Sequence, residues 1–304
     1  MSIDITSQST VPARSPALAY VLWALKAVAL WLTIVVSFVI ANKFIPVSLQ
    51  PPKQDGPLSI QNAFLLVNGM IAVVLAWLAS RARVRGPHLA LLIFVALYAI
   101  QSGMMMLEAF YFNDSIHLPI NQIFLMDAQA AVVAAVVGAV AALLFHPAAE
   151  PVSAVPSGMM ARIAAMAVIY VVLYYTAGYF IAWQSSVVRA YYENGAHIAF
   201  APVVALQILR GTLWALIALF IVTRLKGSLT SRAVLMAILF AVLTAAQLLY
   251  PNQFVPWAVR SVHLVEVGTS EAVYGVIATI VLLAGAARRP LAATSAWRLI
   301  AGRA

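Results

Sequence analysis

The sequence predicts an all-α polytopic membrane protein of eight transmembrane helices, built as two parallel four-helix repeats about a pseudo-twofold axis normal to the membrane. Three observations carry this. Of 304 residues, 64% are hydrophobic and 9% charged, with mean hydropathy +0.98, whereas soluble domains carry about 25% charged residues. Eight apolar segments approach the ~20 residues a helix needs to cross a bilayer. Polar landmarks also recur between the two halves at a nearly constant spacing.

Residues 1–17 are polar and rich in Ser, Thr and Pro. They lack the pattern of a cleaved signal peptide and read as a disordered cytoplasmic tail. A first repeat over 18–150 follows, with spans at 18–41, 60–80, 88–109 and 126–146. A linker at 151–161 leads to a second repeat over 162–290, with spans at 162–183, 203–223, 232–250 and 270–287. Residues 291–304 form a basic tail. Pro and Gly punctuate the connections. Every loop is short, so no appended soluble catalytic domain is expected.

Lys and Arg set the orientation. With a cytoplasmic N-terminus, 13 basic residues fall inside and four outside (Lys43, Lys53, Arg189 and Arg260), leaving Arg210 within a span. Most acids lie at the outer side. The expected location is therefore the inner membrane, with both termini cytoplasmic. The net charge of +9 is distributed as a topology signal, so the expected partner is the lipid bilayer and not nucleic acid.

The repeat rests on ordered matches. "QSGMMMLEAFYFNDSIHL" at 101–118 aligns with "QLLYPNQFVPWAVRSVHL" at 247–264, an offset of 146. "SFVIA" at 37–41 matches "GYFIA" at 178–182, and "NG" at 68–69 matches "RG" at 210–211. Four helices per unit make the repeats parallel. Under that axis His117 corresponds to His263, and Asp114 takes the place of Arg260.

Arg210 poses the sharpest question. At ~1.5 Å per residue it stands roughly 20 Å above Arg224, short of the outer surface. Side chains lean toward the helix N-terminus, which favours snorkelling to interfacial water. The alternative is a pair with a carboxylate or anionic ligand, the default meaning of an intramembrane charge. Glu108 is the best partner, because its helix-end dipole leaves it wanting a cation. Asp114 is expected to pair with Arg260. Asp127 and Glu271 read as first-turn acids that suit the macrodipole, "GTSEAV" resembling an N-cap region.

A polar cavity facing outward is then expected, lined by Arg210, Glu108, Asp114, His117, Arg260 and His263, with Glu266, Asp127 and Glu271 in the same charge network. Arg189, Tyr191 and Tyr192 fall in an aromatic stretch that reads as an interfacial belt or as a lid. His263 and Glu266, three residues apart, would share a helical face. With His117 and Glu108 they give a minor candidate metal set. With no cysteine in the chain, thiolate chemistry is excluded. Phosphate-loop and nucleophile-elbow motifs are missing too, and no cofactor is expected. The reading is a permease-like protein for a small anionic or zwitterionic solute. A metal-dependent intramembrane enzyme acting on a lipid-like substrate and a non-catalytic assembly partner are the alternatives.

Overall fold

The computed structural model describes residues 15–48, 54–113, 118–193 and 200–285. Both predicted tails lie almost wholly outside these, as do Asp114 and His117. Most of the described residues are helical and none lies in a strand, with a single isolated bridge between Ala82 and Leu225. Eight helices are long and apolar enough to cross a membrane. We label them α1 (Pro16–Phe44), α2 (Ile60–Ser80), α3 (Pro87–Tyr111), α4 (Ile120–Leu144), α5 (Met159–Phe180), α6 (Phe200–Val222), α7 (Leu229–Leu249) and α8 (Trp257–Leu283). A short helix, Ser186–Glu193, lies between α5 and α6.

Helix starts follow local chemistry. Ser15, Ser59 and Ser228 each accept a backbone N–H from the first turn of α1, α2 and α7, the usual satisfaction of an orphan donor. Pro87 and Pro16 sit in first turns, where a missing N–H costs nothing. Two predicted starts are wrong. α4 begins at Ile120 and α8 at Trp257, so Asp127 and Glu271 are mid-helix residues, not first-turn acids. Hydropathy had clipped the polar outer turns of both helices.

α3 departs from α geometry in its middle: Val95–Gly103 is π-helical. A π turn holds more residues than an α turn, so it resets the angular position of Met104–Tyr111, which includes Glu108. Nothing in the sequence announced this.

Packing is pairwise. α1 lies on α2 and α4, and α3 on α4; α5 lies on α6 and α8, and α7 on α8. α2 meets α7 across the middle, and α6 meets the π segment of α3. Glycines permit the closest approaches. A Cβ on Gly138 of α4 would stand 2.6 Å from the Ala90 carbonyl of α3. One on Gly275 of α8 would stand 2.6 Å from the Met236 carbonyl of α7. Leu30, Leu75, Leu92, Met236 and Leu239 fill the common core, while large apolar residues such as Leu25, Val39 and Phe180 remain exposed for lipid.

The two ends of the bundle differ in charge. At the basic end, the α2–α3 and α6–α7 connections pair: Arg83 N–H donates to the Arg224 carbonyl at 2.7 Å, and Lys226 N–H to that of Arg81 at 2.8 Å. Glu150 of the α4–α5 connection bridges Arg83 and Lys226 at 3.1 and 3.4 Å. The acidic end carries Asp55, Glu108 and Glu266.

Candidate functional site

Arg210 is buried, its side chain 5% exposed, and it forms an ion pair with Glu108. Pairing, not snorkelling, describes it. The same Nη1 donates to Gln207 Oε1 at 2.8 Å. Its guanidinium also lies 5.5 Å from the Tyr170 ring centre, near enough for a cation–π attraction. Gln207, Arg210 and Trp214 share one face of α6 by their spacing, and all three are buried. α6 can turn this face inward because Gly211 carries no side chain. A Cβ there would come within 2.8 Å of the Tyr170 Cβ.

Glu271 approaches from α8. It is buried and lies within electrostatic reach of both Arg210 and Glu108. Below the cluster, toward the basic end, an aromatic floor closes the bundle. Tyr170 and Tyr274 meet edge-on at 5.5 Å, while Trp214 and Phe240 lie tilted at 5.2 Å and Phe240 and Tyr274 tilted at 5.8 Å. Trp214, Phe240 and Tyr274 are essentially without exposure.

Toward the acidic end the surroundings are polar. Tyr174 stands one turn beyond Tyr170 and within electrostatic reach of Glu108, Arg210, Glu266 and Tyr192. Glu266 Oε2 meets His263 Nδ1 at 2.5 Å, and His263 Nε2 meets the Tyr192 hydroxyl at 3.1 Å. Burial, with smaller contributions from Tyr191, Glu266 and Glu108, pushes the Tyr192 phenol above its ordinary value. Tyr192 therefore keeps its proton and can donate it to Nε2. That tautomer places the imidazole N–H on Nδ1, facing Glu266.

Several buried polar atoms of the cluster have no hydrogen-bond partner: Gln207 Nε2, Arg210 Nε and Glu271 Oε2. Trp214 Nε1 lies close to Tyr170 without reaching hydrogen-bond geometry. Buried polar groups are nearly always satisfied, so such a concentration in one place is unusual.

The remaining candidates are placed elsewhere. Arg260 does not pair with Asp114, which lies outside the described residues; its partner is Asp55 of the first loop. Its five N–H groups are consumed by Asp55 Oδ1, the Asp55 carbonyl, and the carbonyls of Val255, Leu248 and Tyr250. Asp55 also accepts Trp257 N–H at 2.5 Å, so one loop carboxylate caps α8 and neutralises its arginine. Arg260 has no donor left for a solute. Asp127 accepts the Tyr98 hydroxyl at 2.7 Å, joining α4 to α3 away from Arg210. Of the candidate metal set, His263 and Glu266 touch, Glu108 is held by Arg210, and His117 lies outside the described residues. Among the described residues no three His, Asp or Glu side chains converge.

In the aromatic stretch, Tyr191 donates to the Phe254 carbonyl at 2.9 Å, Arg189 binds the Trp183 carbonyl, and Tyr192 is the residue that reaches inward. Sequence reasoning missed Gln207, Trp214, Tyr170 and Tyr274. The first two could have been found, since they stand three before and four after Arg210 on the same helical face.

Comparison with protein-family models, with curated proteins and with solved structures finds no match to this chain.

Proposed function

We propose that the chain is a permease-like inner-membrane protein, with both termini cytoplasmic, that takes a small anionic or zwitterionic solute at the Arg210 cluster. One observation carries this reading. Gln207 Nε2 and Arg210 Nε are unused donors, and Glu271 Oε2 is an unused acceptor, within one buried cluster. Each unsatisfied polar group at this depth costs on the order of kcal/mol. A solute bearing a carboxylate and an ammonium would satisfy both kinds. A purely structural brace has no need of open donors beside an existing ion pair. The aromatic floor and the polar path point to entry from the acidic end, which the bias of basic residues assigns to the outside.

The proposal includes the duplication. Exchanging each helix with the one four further along turns the α1–α2, α3–α4 and α1–α4 contacts into α5–α6, α7–α8 and α5–α8. The α2–α7 contact likewise becomes α6–α3. Ala90 and Met236, the residues beneath the two glycine contacts, are separated by the 146 residues that relate the third and seventh spans. The Arg83–Arg224 and Lys226–Arg81 hydrogen bonds exchange with each other at a spacing of 143. In one half Asn68 of α2 bonds the Tyr250 hydroxyl at the end of α7 at 3.3 Å. In the other, Arg210 of α6 pairs with Glu108 near the end of α3. Two equivalent places have thus diverged, one neutral and one charged.

The test is equilibrium binding to the purified protein, read as thermal stabilisation by a panel of monocarboxylates, amino acids and inorganic phosphate. Saturable stabilisation by one of these is expected. It should vanish in Arg210→Gln/Glu108→Gln, which removes both charges and keeps the fold. No response in the wild type, or an equal response in the double variant, would overturn the reading.

A further inference from the structure

Among the described residues, the cluster at Arg210 holds one base and two acids, Glu108 and Glu271, all on helices long and apolar enough to cross a membrane. Glu108 makes the ion pair. Glu271 has no cation of its own, is buried, and leaves Oε2 without a partner. An unpaired carboxylate in such a place neutralises sooner than it stays ionised. Among the described residues, the groups around Glu271 supply no second base: α6 offers Arg210, α3 Glu108, α5 Tyr170 and α8 itself Tyr274. Further toward the acidic end come Tyr174 of α5 and Glu266 of α8. α7 contributes Phe240 and Ala245 along this stretch, neither of which titrates.

The structure also offers a route for a proton. Tyr192, His263 and Glu266 form a hydrogen-bonded chain beginning on the short helix at the acidic end. Glu266 Oε1 abuts Gly178, 3.5 Å from where its Cβ would stand, one turn from Tyr174. Tyr174 lies within electrostatic reach of Glu266, Glu108 and Arg210 together. In the other direction the aromatic floor offers no carboxylate or imidazole. Imidazole between a phenol and a carboxylate is suited to relaying protons, since it can accept at one nitrogen and release at the other.

We propose that Glu271 is a proton-carrying residue of this site, loaded and unloaded from the acidic end through His263 and Glu266. The inference rests on reading the cluster as a working solute site, where a bound proton and a bound anion would share Arg210. Only O–H and N–H bonds are made or broken. A proton taken up at His263 Nε2 is matched by one released from Nδ1 to Glu266, and onward to the Glu271 carboxylate.

Infrared spectroscopy of the protein in an ester-free detergent tests this without any solute. The carbonyl stretch of a protonated carboxylic acid should be present at about pH 7, be lost in Glu271→Gln, and persist in Glu266→Gln. Glu271→Gln keeps the size of the side chain and replaces a group with one unpartnered oxygen, so it should fold. On transfer to D2O the band should shift as the carboxyl exchanges. His263→Phe and Glu266→Gln should each slow that shift, by roughly a hundredfold if the relay matters as positioned acid–base groups do, at unchanged amplitude. A band missing from the wild type, or surviving in Glu271→Gln, overturns the proton assignment. Exchange at the wild-type rate in both relay variants overturns the route. Neither result depends on solute binding, so failure here is distinct from failure of the solute reading.

Discussion

Replacing Arg210 with Gln strips the one cation that the described residues supply to a cluster holding two carboxyl groups. Removing one partner of a buried pair costs about 3–5 kcal/mol. Arg210→Gln belongs near the top of that range, because the Arg210 side chain is 5% exposed and both Glu108 and Glu271 act on it. Glu108→Gln should cost less, about 1–2 kcal/mol. Glu108 is 23% exposed, and Arg210 keeps Glu271 nearby. The double variant should cost about 2 kcal/mol, since it no longer leaves Glu108 charged without its partner, giving a coupling of roughly 4 kcal/mol. Reversible unfolding in mixed micelles, or steric trapping in lipid, measures all four proteins. Two single changes of equal cost that simply add in the double variant would refute the pairing and the charge count together.

Three further outcomes follow from the packing. Gly275→Ala and Gly138→Ala force a methyl to 2.6 Å from the Met236 and Ala90 carbonyls. Each should lower stability by about 1–3 kcal/mol in the same unfolding assay, and unchanged stability would contradict the helix contacts described. Asp55→Asn leaves the Arg260 guanidinium, on a residue only 1% exposed, without its counter-charge. It should cost about 3–5 kcal/mol and loosen the start of α8, which limited proteolysis at the α7–α8 connection would detect. Burial pushes the Tyr250 phenol up to about 12, against a smaller lowering by Asn68. The unfolded phenol ionises near 10, so this contribution is complete below about pH 10 and is lost as pH rises through about 12. Melting curves over that window should fall more steeply for wild type than for Tyr250→Phe.

The number and order of the helices were legible because a bilayer imposes length and apolarity on each span. Arg210 and Glu108 were legible as partners because an arginine at that depth and a carboxylate at a helix C-terminus both need compensation. The helix starts were not. Hydropathy excludes polar turns, yet Arg260, His263 and Glu266 are helical residues whose side chains face protein. Clipping those turns made Glu271 look like a cap when it is a buried mid-helix acid. The Asp55–Arg260 clamp was hidden for another reason. It joins residues 205 positions apart through a loop fold with no local signature, and symmetry reasoning pointed to Asp114 instead. Gln207 and Trp214 needed only the rule that a charged residue's helical neighbours share its face. The π segment of α3, which sets the angle of Glu108, left no mark in composition or spacing.

Because the chain has no cysteine, single cysteines placed in it report cleanly on access to the cluster. Gln207, beside Arg210, is fully buried, whereas Ile208 is 48% exposed on the face turned to lipid. A permease-like protein must open the first to water and never the second. In intact cells, Gln207→Cys should react with a membrane-impermeant methanethiosulfonate added from outside, more slowly in the presence of a bound solute, and Ile208→Cys should not react. A Gln207→Cys protein that folds yet stays unreactive from either side of the membrane would mean that the Arg210 cluster is a closed structural brace.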